Sequence, residues 1–203
     1  MKQQHWADLK RVGGRLCLDF INTVDREQAG LARDWLVDAI ALIEWAQQMQ
    51  ILTPQQADSL RSQAQQQPKS AQFLFSEAVD LREGLYRIFS AVAAGQPPAS
   101  DDWANLNRWL TVAYSHSQLV RDGARYVRIQ TEDNCLESIL WQIVRSAEEL
   151  LLDPILERVR ECAGTDCGWI FLDTSRNRRR RWCDMEECGN RAKAKRHYER
   201  SKG

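Results

Sequence analysis

The sequence predicts an α+β chain, in which a mostly helical N-terminal domain with a small sheet precedes a short cysteine-rich module. Apolar residues recur at helical spacing in several segments, and one Asp-Gly pair separates two short β-prone segments. In addition, four of the six cysteines fall after residue 160. Asp153 and Pro154 break the last long apolar pattern, so we expect a division into residues 1–152 and 153–203.

Helices are expected wherever apolar residues recur every three or four positions. Thr53 and Pro54 supply an N-cap and a first-turn proline, and Asp34 is another candidate N-cap. The Gln-rich segment 63–70 is expected to be a loop. The predicted helices run from Asp34 through Ala46, from Pro54 onward, over residues 71–94, from a cap at Ser100-Asp101 through Ala113, and over residues 134–151.

A β-hairpin is expected near the middle of the chain. Asp122-Gly123 is a strong turn signal, and the β-prone segments 119–121 and 126–129 flank it. The N-terminal segment 13–23 fits either a strand or a helix, because its apolar residues satisfy both periodicities.

The cysteine-rich module contains two C-x4-C pairs, Cys162 with Cys167 and Cys183 with Cys188, separated by fifteen residues. Structural zinc sites take four ligands as two such short-range pairs on separate turns. Two disulfides or four buried free thiols are the alternatives. A reducing cytosol argues against the disulfides, and so short an Arg-rich segment cannot bury four thiols without a metal. We therefore predict one structural Zn²⁺ with no open coordination position.

The order of elements in the module is typical of a treble-clef zinc finger. We expect Gly164 and Gly168 to allow a tight turn around the metal. Segments 169–172 and 180–182 are predicted to form two strands, and a helix is expected over residues 191–200. Cys17 and Cys135 lie in apolar segments and are expected in the core.

The charge of the chain is unevenly distributed. Residues 160–203 carry 12 Lys and Arg against 7 Asp and Glu, so this part has a charge of +5 and the remainder has −5. A clustered basic tail favours a polyanionic partner, whereas a solvated basic face or pairing with the acidic N-terminal part are the alternatives. The candidate DNA-binding residues are Arg176, Arg178, Arg179, Arg180, Arg181, Arg191, Lys193, Lys195, Arg196 and Arg200.

Several classes of protein are disfavoured. No run approaches the roughly 18 apolar residues that cross a bilayer, and the first six residues lack the apolar stretch of a signal peptide. We therefore expect a cytoplasmic protein without a membrane partner. No catalytic constellation is apparent, so we expect no enzyme. Asp19, Asn22 and Thr23 are candidates to line a polar ligand pocket, although such residues cap helices as often.

The tetrapeptide Cys188-Gly189-Asn190-Arg191 is the signature of the CGNR zinc-finger family, and the residues around both cysteine pairs resemble that finger. The segment 18–23 resembles the opening of the ABATE domain, which precedes this finger in bacterial stress-induced transcription regulators. Together the resemblance covers nearly the whole chain. It implies a zinc-dependent nucleic-acid-binding finger behind a domain that senses a ligand.

From the basic residues and this resemblance we expect a DNA-binding transcription regulator controlled by a small-molecule effector. A single small finger binds weakly, so we expect a homodimer to present two of them. The alternative is a zinc-stabilised adaptor whose basic finger binds protein or RNA.

Overall fold

The computed structural model describes residue 6 and residues 9–26, 33–132, 134–165 and 167–201. The expected α+β class is confirmed: seven α-helices and four short strands are formed within these residues. The helices are α1 (Leu16–Ile21), α2 (Ala39–Gln48), α3 (Pro54–Gln66), α4 (Pro68–Ala93), α5 (Ser100–Ser115), α6 (Glu137–Leu152) and α7 (Asn190–Arg200). The strands are β1 (Ser117–Asp122), β2 (Arg125–Gln130), β3 (Val159–Glu161) and β4 (Ile170–Leu172). No helix in the described ranges is both long and apolar enough to span a bilayer.

The main core lies where α1 packs against α4 and α6, with α2, α3 and α5 around them. The ambiguous segment 13–23 thus forms the short helix α1, whose apolar residues are buried. Strands β1 and β2 form the expected antiparallel hairpin, in which Asp122 pairs with Arg125 across the turn. Gly123 has a φ of 60°, the left-handed conformation that such a turn favours.

Two expectations about helix caps are wrong. Asp34 does not cap α2; the cap is Asp38, whose side chain accepts the amide of Ala41 at 2.8 Å. Asp34 instead accepts two hydrogen bonds from the buried guanidinium of Arg82, both 2.7 Å long. Helix α5 begins after Ala99 without a side-chain cap.

The predicted loop over residues 63–70 is also wrong, because only Gln67 separates α3 from α4. Pro68 is the first residue of α4, a position where proline costs no hydrogen bond. Helix α3 begins as expected with a capping box between Thr53 and Gln56.

Strand β4 pairs with β3, in front of the first cysteine pair, and not with residues 180–182 as predicted. Residues 180–182 form no strand. The backbone amide of Arg180 donates to the side chain of Asp173 at 2.9 Å, and the carbonyl of Arg181 accepts the amide of Ala163 at 2.8 Å. Val159, Ile170 and Leu172 of this small sheet belong to the main core. The sheet therefore joins the cysteine module to the helical part.

Candidate zinc centre and basic surface

Each of the four cysteines is placed by a short structural element. Cys162 follows β3, and Cys167 precedes β4, so the first pair lies in the turn of the small hairpin. Cys183 follows the basic loop of residues 174–181, and Cys188 lies in a π-helical turn, Met185–Gly189, that leads into α7. These elements bring two pairs that are fifteen residues apart in sequence to one point.

The geometry of the cluster fits a tetrahedral metal site. The four sulfurs all lie within 4.8 Å of one another, and the Cys167–Cys183 and Cys183–Cys188 sulfur pairs are 3.5 and 3.6 Å apart. Zinc with Zn–S bonds of about 2.3 Å would hold tetrahedral sulfurs about 3.8 Å apart. All four side chains are buried, and all six cysteines of the chain are free thiols rather than disulfides. The two disulfides considered from the sequence are therefore not formed.

The electrostatics of the cluster call for a cation. Hydrogen bonds from Cys167 and Cys183 lower the pKa of Cys162 to about 2. The same contacts raise the pKa of Cys167 and of Cys183 well above that of a free thiol. Four thiolates can coexist here only around a positive ion, and an all-sulfur set suits Zn²⁺.

Hydrogen-bond donors surround the sulfurs. The sulfur of Cys162 accepts the backbone amides of Gly164 at 3.4 Å and of Cys183 at 3.3 Å. The sulfur of Cys188 accepts a hydrogen bond from the guanidinium of Arg191 at 3.2 Å. Such donors stabilise thiolate charge and fix the ligands in position.

The turn around the first pair depends on Gly168, which has a φ of 65°. A Cβ added there would lie 3.0 Å from the Cβ of Arg26, so both the backbone and the space favour glycine. The expected use of glycine in a tight turn is confirmed for Gly168. Gly164 does not adopt a left-handed conformation.

The residues of the CGNR tetrapeptide have distinct structural roles. Cys188 is one of the four clustered thiols, and the side chain of Asn190 donates to the carbonyl of Glu186 at 2.8 Å. A Cβ on Gly189 would lie 2.5 Å from the sulfur of Met185, which packs directly over the glycine. Arg191 bonds the ligand sulfur. The motif therefore supplies one cysteine of the cluster and the residues that form the turn from this cysteine into α7.

Asp184 fixes the turn that carries Cys188. Its carboxylate accepts the amides of Glu186 at 2.7 Å and Glu187 at 2.9 Å and pairs with Lys10 at 3.1 Å. Burial alone would raise the pKa of Asp184, but these bonds outweigh it, and the pKa is lowered. Lys10 comes from the N-terminal part of the chain, so the second cysteine pair is also held against that part.

The five arginines of the basic loop do not share one environment. Arg180 is half-buried; it lies 4.5 Å over the ring of Phe171 and donates to the carbonyls of Trp182 and Cys183. Arg178 forms an ion pair with Glu157, and the guanidinium of Arg181 lies 5.5 Å from the centroid of the Trp182 ring. These contacts give Arg180 a structural role in placing Cys183.

Most of the remaining DNA-binding candidates are exposed to solvent. Arg176, Arg179, Lys193, Lys195 and Arg200 are exposed and form no ion pair within the residues that the structure describes. The side chain of Arg196 lies outside the described part of the chain. Among the described side chains of α7 only Ala192 is half-buried, so Lys193, Lys195 and Arg200 project into solvent, whereas Arg191 turns back to Cys188.

The three candidate ligand-pocket residues have protein partners. Asn22 is 1% exposed, and its side-chain amide exchanges two hydrogen bonds with the backbone of Ile170. Thr23 donates to the carbonyl of Phe20 at 2.7 Å, and Asp19 accepts the amide of Gly13 at 2.9 Å. These bonds hold the three side chains in place at α1 and its ends, and their role as ligand-pocket residues stays a prediction.

Sequence reasoning missed the residues that hold the first cysteine pair against the helical part. The amide of Arg26 donates to the carbonyl of Cys167 at 3.2 Å, and the indole of Trp169 donates to the carbonyl of Val24 at 3.1 Å. Arg26 also pairs with Glu83 on α4 at 2.7 Å. Backbone contacts of this kind have no residue signature, and no spacing in the sequence relates residue 26 to residue 167.

Comparison with known families agrees with this architecture. Residues 14–154 match the family model described as "ABATE: Putative stress-induced transcription regulator". Residues 158–201 match the model described as "CGNR zinc finger". A search of the curated proteins finds no match. Because the first model covers more than half of the chain and the second accounts for the four clustered cysteines, the chain belongs to the family of ABATE-domain proteins that carry a C-terminal CGNR zinc finger.

Proposed function

We propose that this protein is a zinc-dependent transcription regulator that binds duplex DNA through its finger. The observation that carries the proposal is the exposed basic surface of the finger, formed by Arg176 and Arg179 of the loop and Lys193, Lys195 and Arg200 of α7. Guanidinium and ammonium groups without carboxylate partners are available to phosphate oxygens. The description of the ABATE family supports the same class of function.

The shape of the finger suits a groove. Helix α7 is strongly polar apart from Tyr198, and it rests chiefly on the π-helical turn before it. Such a helix requires a polar partner or solvent. A single α-helix fits the major groove of B-DNA, where Lys and Arg contact guanine edges. Zinc would hold the base of this helix through Cys188, and with four sulfur ligands it would have no open position for catalysis. We therefore propose a binding protein and not an enzyme.

Control by a small ligand is the second part of the proposal. Asp19, Asn22 and Thr23 stay candidates for the effector site, and each also has a hydrogen-bond partner within the fold. A second candidate lies elsewhere in the helical part. A cleft between α3, α4 and α6 presents the polar side chains of Gln63, Gln67, Ser70 and Glu137. Thermal-shift screening of the full chain against small polar compounds tests this part separately from DNA binding.

A protein-binding adaptor is the second candidate, because two large apolar side chains are exposed on the finger. Met185 is 48% and Tyr198 is 60% exposed. Exposed apolar residues beside basic ones also suit a protein surface. Zinc-loaded protein that fails to bind any duplex at low salt, with any sequence, would favour this candidate.

The experiment is fluorescence-anisotropy titration of zinc-loaded protein with duplex DNA, and with duplex and single-stranded RNA, over a range of salt. If about four to six phosphates are neutralised, the slope of log K against log salt is about −3.6 to −5.4. The double substitution Arg179→Ala and Lys195→Ala should make that slope less steep by about 1.8, with zinc content unchanged. Arg61→Ala is the control, since Arg61 lies on α3 and pairs with Asp58. Binding to RNA alone, or an unchanged slope in the double variant, contradicts the proposal.

A further inference from the structure

The guanidinium of Arg191 is directed at the metal cluster rather than away from it. Its Nη2 atom donates to the sulfur of Cys188 at 3.2 Å, and this bond raises the pKa of Arg191. Arg191 is the second residue of α7. Side chains on a helix point toward its N-terminus, so a residue at this position covers the residue three places earlier, which is Cys188.

The net charge of a zinc-loaded cluster explains why the guanidinium of Arg191 is favourable beside Cys188. Four thiolates around one Zn²⁺ leave a net charge of −2. Backbone amides of Gly164 and Cys183 stabilise the sulfur of Cys162. Arg191 supplies a donor with a full positive charge to Cys188, and charge-assisted bonds are stronger than neutral ones.

Arg191 also lies at two approaches to the cluster. Two clefts reach Cys188, one lined by Gly164, Thr165 and Lys195 and the other by Asp25, Trp169 and Glu187. Arg191 lines both of them. A chelator or an alkylating agent that approaches Cys188 through either cleft therefore meets this side chain.

We propose that Arg191 is a positioning residue of the zinc centre, which retains the metal by bonding and shielding the Cys188 thiolate, and that it is not a base-reading residue of the DNA surface. The inference rests on the proposed zinc ion and not on the proposed DNA binding. Its readouts are measured without DNA, so the failure of one proposal is distinguishable from the failure of the other.

The test compares zinc transfer from the full chain to a chromogenic chelator for the wild type and for Arg191→Ala, Arg191→Gln and Arg191→Lys. Loss of an outer partner of a metal ligand weakens metal binding about 10–100-fold, and we expect the Ala variant to release zinc faster by that factor. The Lys variant keeps the positive charge but lacks the planar guanidinium. Its rate of zinc release should lie between the rates of the wild type and of the Ala variant. Alkylation of Cys188 by iodoacetamide, followed by mass spectrometry, should accelerate in the same order.

Lys195→Ala is the matched control, because Lys195 carries the same charge, lies on the same helix and lines one of the same clefts. It should release zinc within about twofold of the wild type, since direct bonding and not general charge is the cause. Equal acceleration in the Lys195 and Arg191 variants overturns the proposal, and so does wild-type release from all three Arg191 variants. If the Ala variant does not fold, the Gln and Lys variants give the same decision.

Discussion

The side chain of Asn22 and the backbone of Ile170 exchange two hydrogen bonds. The Asn22 amide nitrogen donates to the Ile170 carbonyl at 2.8 Å, and the Ile170 amide donates to the Asn22 oxygen at 2.9 Å. Asn22 ends helix α1, and Ile170 begins strand β4 beside the first cysteine pair. One side chain thus takes the place of a neighbouring strand along the edge of the small sheet.

The substitution Asn22→Ala should therefore destabilise the whole chain. It leaves a buried carbonyl and a buried amide of Ile170 without partners, at a cost of about 1–3 kcal/mol for each group. We expect the free energy of unfolding in urea to fall by about 2–5 kcal/mol. Asn107→Ala is the control, because Asn107 is exposed on α5, and its loss should change stability by about 0.5 kcal/mol or less. A change of that small size in the Asn22 variant would show that the pair is not energetically significant.

Removal of zinc should affect more than the finger. We expect one zinc per chain by elemental analysis and its loss in Cys188→Ser, while Cys135→Ser keeps it, because Cys135 is not in the cluster. Since Ile170 and Leu172 belong to the main core, chelation should also lower the melting temperature of the helical signal in circular dichroism. Protein that is metal-free as purified, with α7 protected from hydrogen exchange, would contradict the zinc assignment.

Stability should depend on pH through Asp19. Burial raises the pKa of Asp19 to about 6, against about 4 for an unfolded chain. The folded state then binds the proton more tightly than the unfolded state does, so this group lowers stability as the pH rises from about 4 to 6. Asp19→Asn keeps an oxygen for the Gly13 amide and removes the charge, and it should stabilise the protein by about 2–3 kcal/mol at pH 7.

The check for Asp19 is the difference in unfolding free energy between the variant and the wild type, measured from pH 4 to 7. The difference should grow with pH up to about 6 and then level off. Zinc loss in acid affects both proteins and cancels in this comparison. A difference that is constant with pH would mean that Asp19 does not titrate in this range.

The division at residue 152 can be tested by truncation. Removal of residues 153–203 takes Val159, Ile170 and Leu172 out of the main core. Each fully buried side chain contributes about 1.5–3 kcal/mol, so the loss is about 5–9 kcal/mol. This is comparable with the whole stability of a typical domain. We expect fragment 1–152 to unfold at a much lower urea concentration than the full chain, and an equal midpoint would show that the helical part folds by itself.

The helices, the hairpin and the cysteine cluster were predictable because each has a local periodicity or spacing. The turn at Gly123 and the cap at Thr53 depend on neighbours in sequence, and both are confirmed. The pairing of β3 with β4 was not predictable, because Val159–Glu161 is only three residues long and its partner lies beyond the cysteine turn. Residues 180–182 were predicted to form a strand from their composition, but the amide of Arg180 donates to the side chain of Asp173, a contact that composition does not reveal.

The charge pattern of the sequence identified the basic surface, but it could not distinguish the exposed arginines from the half-buried one. Arg179 and Arg180 are adjacent and chemically identical, yet one is exposed and the other is half-buried over Phe171. Burial of an arginine depends on the fold of the loop, which a charge count does not contain. For the same reason, the sequence did not reveal that the side chain of Asn22 bonds the backbone of Ile170, 148 residues away.

Helix α7 begins directly after the turn that carries Cys188, so a change in this turn would rotate the whole helix about it as a pivot. Its eleven residues extend about 16 Å from that turn. A rotation of about 10° at the pivot would move the far end, near Arg200, by about 3 Å, which approaches the 3.4 Å rise between successive base pairs. In the proposed complex with DNA, the side-chain bonds of Asp184 and Asn190 that fix this turn would therefore also fix which nucleotide the end of the helix reaches.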